Sequence, residues 1–148
     1  MTSPDPLPFK VLNEIGIIDQ LASHAFTQVL PRNMTIAQFS VLNHFVRLEH
    51  DFRTPAQLAS AFQVSRPTMS NTLARLERAG LVQITSDPDD GRGKRVRITE
   101  RGRVMRDDCI ARLGEPLARM QAHVPSELME KLDPLLTQLR EILDQMRD

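Results

Sequence analysis

The sequence has no tryptophan and no tyrosine, and its single cysteine is Cys109. A lone thiol excludes an internal disulfide framework and a cysteine-based zinc knuckle, so the fold has to rest on packing. Asp107 and Asp108 beside it disfavour a thiolate, and Cys109 is read as a buried structural residue. No apolar run approaches the roughly 20 residues of a membrane-spanning helix. The opening MTSPDPLPFK has three prolines and no basic-then-apolar signal pattern. A soluble, cytoplasmic protein with no membrane partner is expected. His24, His44, His50 and His123 show no tight ligand spacing, so no metal is expected. The string GRGK, Gly91 to Lys94, lacks the first glycine and the following hydroxyl residue of a phosphate-binding loop. No nucleophile elbow accompanies any serine. Neither an enzyme nor a cofactor is expected.

An excess of charge is missing too, since 19 basic residues face 19 acidic ones. The balance is uneven along the chain. Arg53 to Arg106 holds eleven basic and five acidic residues, a net +6, and the remainder carries −6. Such asymmetry points to one segment that meets an anionic partner. Sixteen of the nineteen cations are arginine, whose planar fork suits phosphate.

Residues 1–8 read as a proline-stiffened arm. Leu12, Ile15, Leu21, Phe26 and Val29 have helical spacing, which predicts a helix over Phe9 to Leu30 that Pro31 ends. Thr35 with Gln38, and Thr54 with Gln57, form capping boxes that start helices at Ile36 and Pro55. These run to about Glu49 and Phe62. Ser65 caps a fourth helix, Arg66 to Ala79, closed by Gly80. Leu81–Ser86 and Arg95–Thr99 alternate as strands and predict a β-hairpin with a long tip, Asp87 to Lys94. Thr99 caps a long helix to about Ala122, bent near Gly114 and Pro116. A last helix follows Pro125, with Ser126 as cap and a kink or restart at Asp133-Pro134.

The third and fourth helices are joined by about three residues, the spacing of a helix-turn-helix. Met69, Leu73 and Leu76 share the inner side of the fourth helix. Pro67, Asn71, Arg75 and Arg78 lie opposite, with Thr68 and Ser70 at the margins. Asparagine can pair bidentately with adenine and arginine with guanine. Free amides at the helix start attract phosphate. The hairpin tip adds Arg92, Lys94 and Arg95, a narrow cationic finger able to enter a minor groove. Together these features predict double-stranded DNA as the partner. A winged-helix module that binds an acidic protein is the alternative.

LASAFQVSRPTMSNTLARLERAGLV followed by DPDDGRGKRVRITERG resembles the winged helix-turn-helix core of the MarR family of bacterial transcriptional regulators. With the flanking helices the resemblance spans about Phe9 to Met146. It implies a mainly α fold with a small antiparallel β wing, a winged helix-turn-helix plus a helical dimerisation region. The expected parts are an arm at 1–8, a dimerisation helix and connection at 9–34, the DNA-binding domain at 35–99, and dimerisation helices at 100–148. The resemblance implies a homodimeric regulator, expected to be a repressor, on a pseudo-palindromic operator. Ser65, Arg66, Pro67, Thr68, Ser70, Asn71 and Arg75 would contact DNA. In the wing, Asp90 would orient Arg92 into the minor groove, with Lys94 and Arg95 beside it. Two departures stand out. Gln63 occupies the turn where many members have glycine, which accepts positive φ more readily, and Asn71 stands where relatives often have arginine. The family also implies a small aromatic or anionic effector, for which His24, Gln28, Asn43 and His44 are the candidate polar groups. A dimer also follows from the residues, since Leu135, Leu139, Ile142, Leu143 and Met146 form a stripe that a small winged domain has no core to bury.

Overall fold

The computed structural model describes residues 3–147. The elements are α1 (Leu7–Thr27), α2 (Ile36–Leu48), α3 (Pro55–Ala61), α4 (Arg66–Arg78), β1 (Val82–Asp87), β2 (Asp90–Ile98), α5 (Glu100–Arg112), α6 (Gly114–Gln121) and α7 (Ser126–Gln145). The chain divides into two compact units, one ending at Leu113 and the other beginning at Gly114.

Both capping boxes form. Thr35 Oγ1 accepts from the Gln38 amide at 3.1 Å while Gln38 Oε1 accepts from the Thr35 amide at 3.0 Å. Thr54 and Gln57 repeat the pattern at 3.1 and 3.0 Å. Each box satisfies two amides that would otherwise lack partners at a helix start. Ser65 caps α4 by accepting from the Thr68 amide at 3.2 Å.

The core of the first unit is built from one face each of α2, α3 and α4: Val41, Leu42 and Phe45 of α2, Leu58 of α3, and Met69, Leu73 and Leu76 of α4. Val82 and Val96 of the hairpin and Cys109 of α5 complete it. The helix-turn-helix thus rests on α2, and α5, which follows the hairpin, packs back on α2. Thr99 fastens α5 to the end of α4. Its hydroxyl donates to the Gly80 carbonyl at 2.7 Å and accepts from the Gly102 amide at 3.0 Å.

Several boundaries differ from expectation. α1 starts at Leu7, because Pro8 falls in the first helical turn, where a missing amide costs nothing. It ends at Thr27, ahead of Pro31. The hairpin has no long tip. Pro88 and Asp89 alone make the turn, and β2 begins at Asp90. Ser86 pairs with Lys94 and Asp87 with Asp90, so Gly91, Arg92 and Gly93 form a bulge on β2. Asp87 accepts from the Asp89 amide at 2.9 Å and Asp90 from the Arg92 amide at 3.1 Å, local bonds that tighten the turn.

The predicted long helix is divided at Leu113. The Arg112 carbonyl would need the amide of residue 116, and Pro116 has none. In the second unit, Ser126 is the first residue of α7 and Pro125 precedes it as cap, without a side-chain bond. α7 runs through Pro134 as one helix. Lys131 pairs with Glu127 and Arg140 with Asp144 one turn apart along its surface. Its apolar side is uncovered: Leu128, Met129, Leu135, Leu136, Ile142, Leu143 and Met146 are all exposed, and Leu139 is half-buried. α1 contributes no fully buried residue, and Leu7, Phe9, Leu12, Ile18 and Leu21 are likewise exposed.

Candidate nucleic-acid interface

α4 presents its outer face to solvent because its inner stripe is used by the core. Ser65, Arg66, Pro67, Thr68, Ser70, Asn71, Arg75 and Arg78 are all exposed. None of its arginines makes an ion pair among the described residues. The helix's one acid, Glu77, is turned to the hairpin, where its carboxylate accepts from the Ile84 amide at 3.1 Å. Two hydroxyls of the set are engaged with each other, Ser65 donating to Thr68 at 2.8 Å. The turn before α4 holds Gln63 at φ 51, the left-handed region. The glycine-type geometry is therefore kept without glycine. Gln63 Nε2 helps hold it by donating to the Ser60 carbonyl at 2.6 Å.

The wing lies beside this helix. A groove of about 390 Å³ separates them, lined by Ser70, Ala74 and Glu77 of α4 and by Thr85, Ser86 and Lys94 of the hairpin. Asp90, Arg92 and Lys94 are exposed. Asp90 does meet Arg92, through the backbone amide of Arg92 rather than its guanidinium. Arg92 and Lys94 have no acidic partner among the described residues. Arg95 is different. Its guanidinium pairs with Asp87 at 3.2 Å and Asp89 at 3.3 Å and lies 4.1 Å from the centroid of the Phe52 ring. Only 18% of the Arg95 side chain is exposed, so it is held within the wing instead of standing free at its edge.

Phe52 and Arg53, in the loop between α2 and α3, were not among the residues singled out from sequence. Arg53 exchanges two backbone bonds with Val96, at 2.9 and 2.7 Å, and acts as a one-residue third strand against β2. A single bridge has no periodicity, so only the adjacent Arg-Thr-Pro of the α3 cap marked this stretch.

The four polar groups suggested for an effector have other surroundings. His24 and Gln28 are exposed on and after the last turn of α1. Asn43 accepts from Arg106 Nε and Nη2 at 3.1 and 3.0 Å, tying α2 to α5. His44 is buried, with its ring against those of Phe45, Phe62 and His50. Burial, and after it the charges of Arg53, His50 and Arg47, lower its pKa to about 4, so it is neutral near pH 7. A cavity of about 190 Å³ does lie between α1 and α2. Its lining is Asp19, Ala22, Ser23, Phe26, Leu30, Ile36, Phe39, Ser40 and Leu113, and none of the four suggested residues is part of it. Cys109 is buried, and desolvation pushes its thiol up against the opposing pull of Arg112. No group of three or more metal-ligating side chains occurs among the described residues.

Residues 32–93 match the model of the MarR family. Among solved structures, the chain is similar to the transcriptional regulator BldR from Sulfolobus solfataricus. The TM-score is 0.71 and the identity 25%, over 88% of this chain and 95% of that one. It is similar to a mutant MarR from E. coli complexed with operator DNA, with TM-score 0.70 and 25% identity, over 90% of this chain and 94% of the other. The PcaV transcriptional regulator from Streptomyces coelicolor, in complex with its natural ligand, shares the fold at TM-score 0.69. Its identity is 20%, over 95% of this chain and 98% of that one.

Proposed function

We propose that the chain is a transcriptional regulator of the MarR family, whose model matches residues 32–93, and that it binds duplex DNA as a homodimer and represses transcription from a pseudo-palindromic operator. One observation carries the reading. The exposed face of α4 and the neighbouring wing hold arginines and a lysine without acidic partners among the described residues, while the acids of the same segment are tied to amides or to Arg95. A helix in the major groove then offers Asn71 and Arg75 to base edges, and Arg92 reaches the adjacent minor groove. The structure of a relative complexed with operator DNA supports the reading.

The uncovered apolar faces of α1 and α7 support a dimer, since burying them excludes water at roughly 25 cal/mol per Å². A two-fold pair sets its recognition helices about one DNA turn, ~34 Å, or a multiple apart. The cavity between α1 and α2 is the effector site that fits best. An engineered cavity of about 150 Å³ accepts benzene, so this one is large enough for a single ring. The only charge on its wall is Asp19, which favours a neutral or cationic ring over an anion. Its binding would release DNA by favouring the protomer arrangement whose recognition helices miss successive grooves.

Selection of duplexes from a random library with the purified protein tests the core of this reading. The expected product is an inverted repeat whose half-sites are spaced by one helical turn or a multiple. A monomer that enriches no sequence at low ionic strength would overturn it.

A further inference from the structure

We propose that Phe52 and Arg95 are positioning residues that set the wing for DNA, and that neither contacts DNA itself. The inference rests on the DNA-binding reading above.

Between Asp87 and Arg95 the wing carries three acids and three bases, so its net charge is zero. A finger of that composition has no reason to approach a phosphate backbone unless its charges are segregated. Arg95 segregates them. By pairing with both Asp87 and Asp89 it occupies two of the three acids of the wing. Arg92, in the bulge between two glycines, and Lys94 are left without acidic partners among the described residues. The Arg95 guanidinium is held in turn by the Phe52 ring at 4.1 Å, with that of Arg97 on the same ring at 5.4 Å. Arg95 and Arg97 are two apart on β2 and so share one face of the strand.

Phe52 has no place in the core, being 37% exposed. Its position in the α2–α3 loop explains it, because the next residue makes the two backbone bonds to Val96. Stack and bridge together fix the wing to the loop that precedes the helix-turn-helix, and so fix the wing relative to α4. Lysine at position 95 could not do this work, since it lacks the planar fork for two acids and the flat face for a ring.

The test uses Phe52→Ala, Phe52→Tyr and Arg92→Ala in the full chain, with a duplex bearing a central A-tract and a GC-rich duplex of equal length. Phe52→Ala removes no charge, so any change in the salt dependence of binding should not exceed that of Arg92→Ala. Its affinity for the A-tract duplex should fall roughly two- to fivefold, the range an exposed cation–π contact spans. The loss should vanish in the Arg92→Ala background, and Phe52→Tyr should restore affinity. Hydrogen exchange should speed up at the Arg53 and Val96 amides in Phe52→Ala alone, with no change at the core helices. Full affinity in Phe52→Ala, or losses that add in the double variant, would overturn the inference. Absence of binding by the unaltered chain to either duplex would instead overturn the DNA-binding reading, and this inference with it.

Discussion

Gln63 sits at φ 51, where a β-carbon is crowded and a left-handed conformation costs roughly 1–2 kcal/mol. Part of that cost is offset by its own side chain, which bonds the Ser60 carbonyl. Gln63→Gly should stabilise the protein by about 0.5 kcal/mol, because relief of strain exceeds glycine's added chain entropy and the lost exposed bond. Gln63→Ala keeps the strain and loses the bond, so it should destabilise. Urea denaturation of both variants checks the pair. The turn was legible from the helix caps on either side, but its φ was not, since the residue type argues against it. His44 makes a second case. Its pKa lies near 4 when folded and 6.5 when unfolded. Between these values the unfolded chain takes up a proton that the folded imidazole refuses. The folded state therefore loses stability as pH falls from 6.5 to about 4 and keeps all of it above 6.5. The loss attributable to this one group should reach about 3 kcal/mol, from ~1.4 kcal/mol per unit. A His44→Leu variant should show a flatter dependence of melting temperature on pH across that window. An unchanged slope would remove His44 as its source.

At the scale of elements, the helices were written plainly in the chain. The two Thr-to-Gln boxes start α2 and α3, and Met69, Leu73 and Leu76 face inward on α4 at the spacing they have in sequence. The wing was less plain. Gly91 and Gly93 read as parts of a loose loop, whereas the register makes them the two sides of a bulge on a longer strand. A bulge depends on which residues pair across a hairpin, and composition does not encode pairing. The cavity between α1 and α2 escaped for a similar reason, as Asp19, Ser40 and Leu113 come from three separate stretches. The join of α5 to the hairpin shows how tightly elements are matched. A β-carbon on Gly102 would collide with the Leu81 carbonyl and lie 2.7 Å from Ile98 Cγ1. Both belong to the sheet and its approach, which cannot retreat. Gly102→Ala should cost about 3 kcal/mol by overpacking, visible as a lowered melting temperature. The helix proposed to face DNA yields its own prediction. Asn71→Ala should cost about 1–3 kcal/mol of binding and relax selectivity at one base position, read by repeating the library selection.

For the whole molecule, the decisive feature is apolar surface left over after folding. Leu135, Ile142, Leu143 and Met146 on α7 remain 42–72% exposed. The sequence marked this stripe, and it remains uncovered in the single chain. Replacing Leu135 and Ile142 together by arginine should give a monomer by sedimentation equilibrium, with the winged unit still folded. Binding to a selected inverted repeat should then drop to the level of a single half-site. A double variant that still sediments as a dimer would place the interface elsewhere. Binding by the unaltered protein should weaken steeply with salt, each neutralised phosphate adding about −0.9 to the logarithmic slope.

The Thr99 hydroxyl gives this arrangement a mechanical ratio. It ties the turn that closes α4, at Gly80, to the first turn of α5, through Gly102. α4 has 13 residues, so at 1.5 Å per residue its opposite end swings on an arm of about 20 Å. A tilt of roughly ten degrees at that knot carries Ser65 and Arg66 sideways by about 3.4 Å, the height of one stacked base pair. On the DNA-binding reading proposed above, a disturbance too small to unpack the core is thus enough to carry the head of this helix from one letter of a docked duplex to the next.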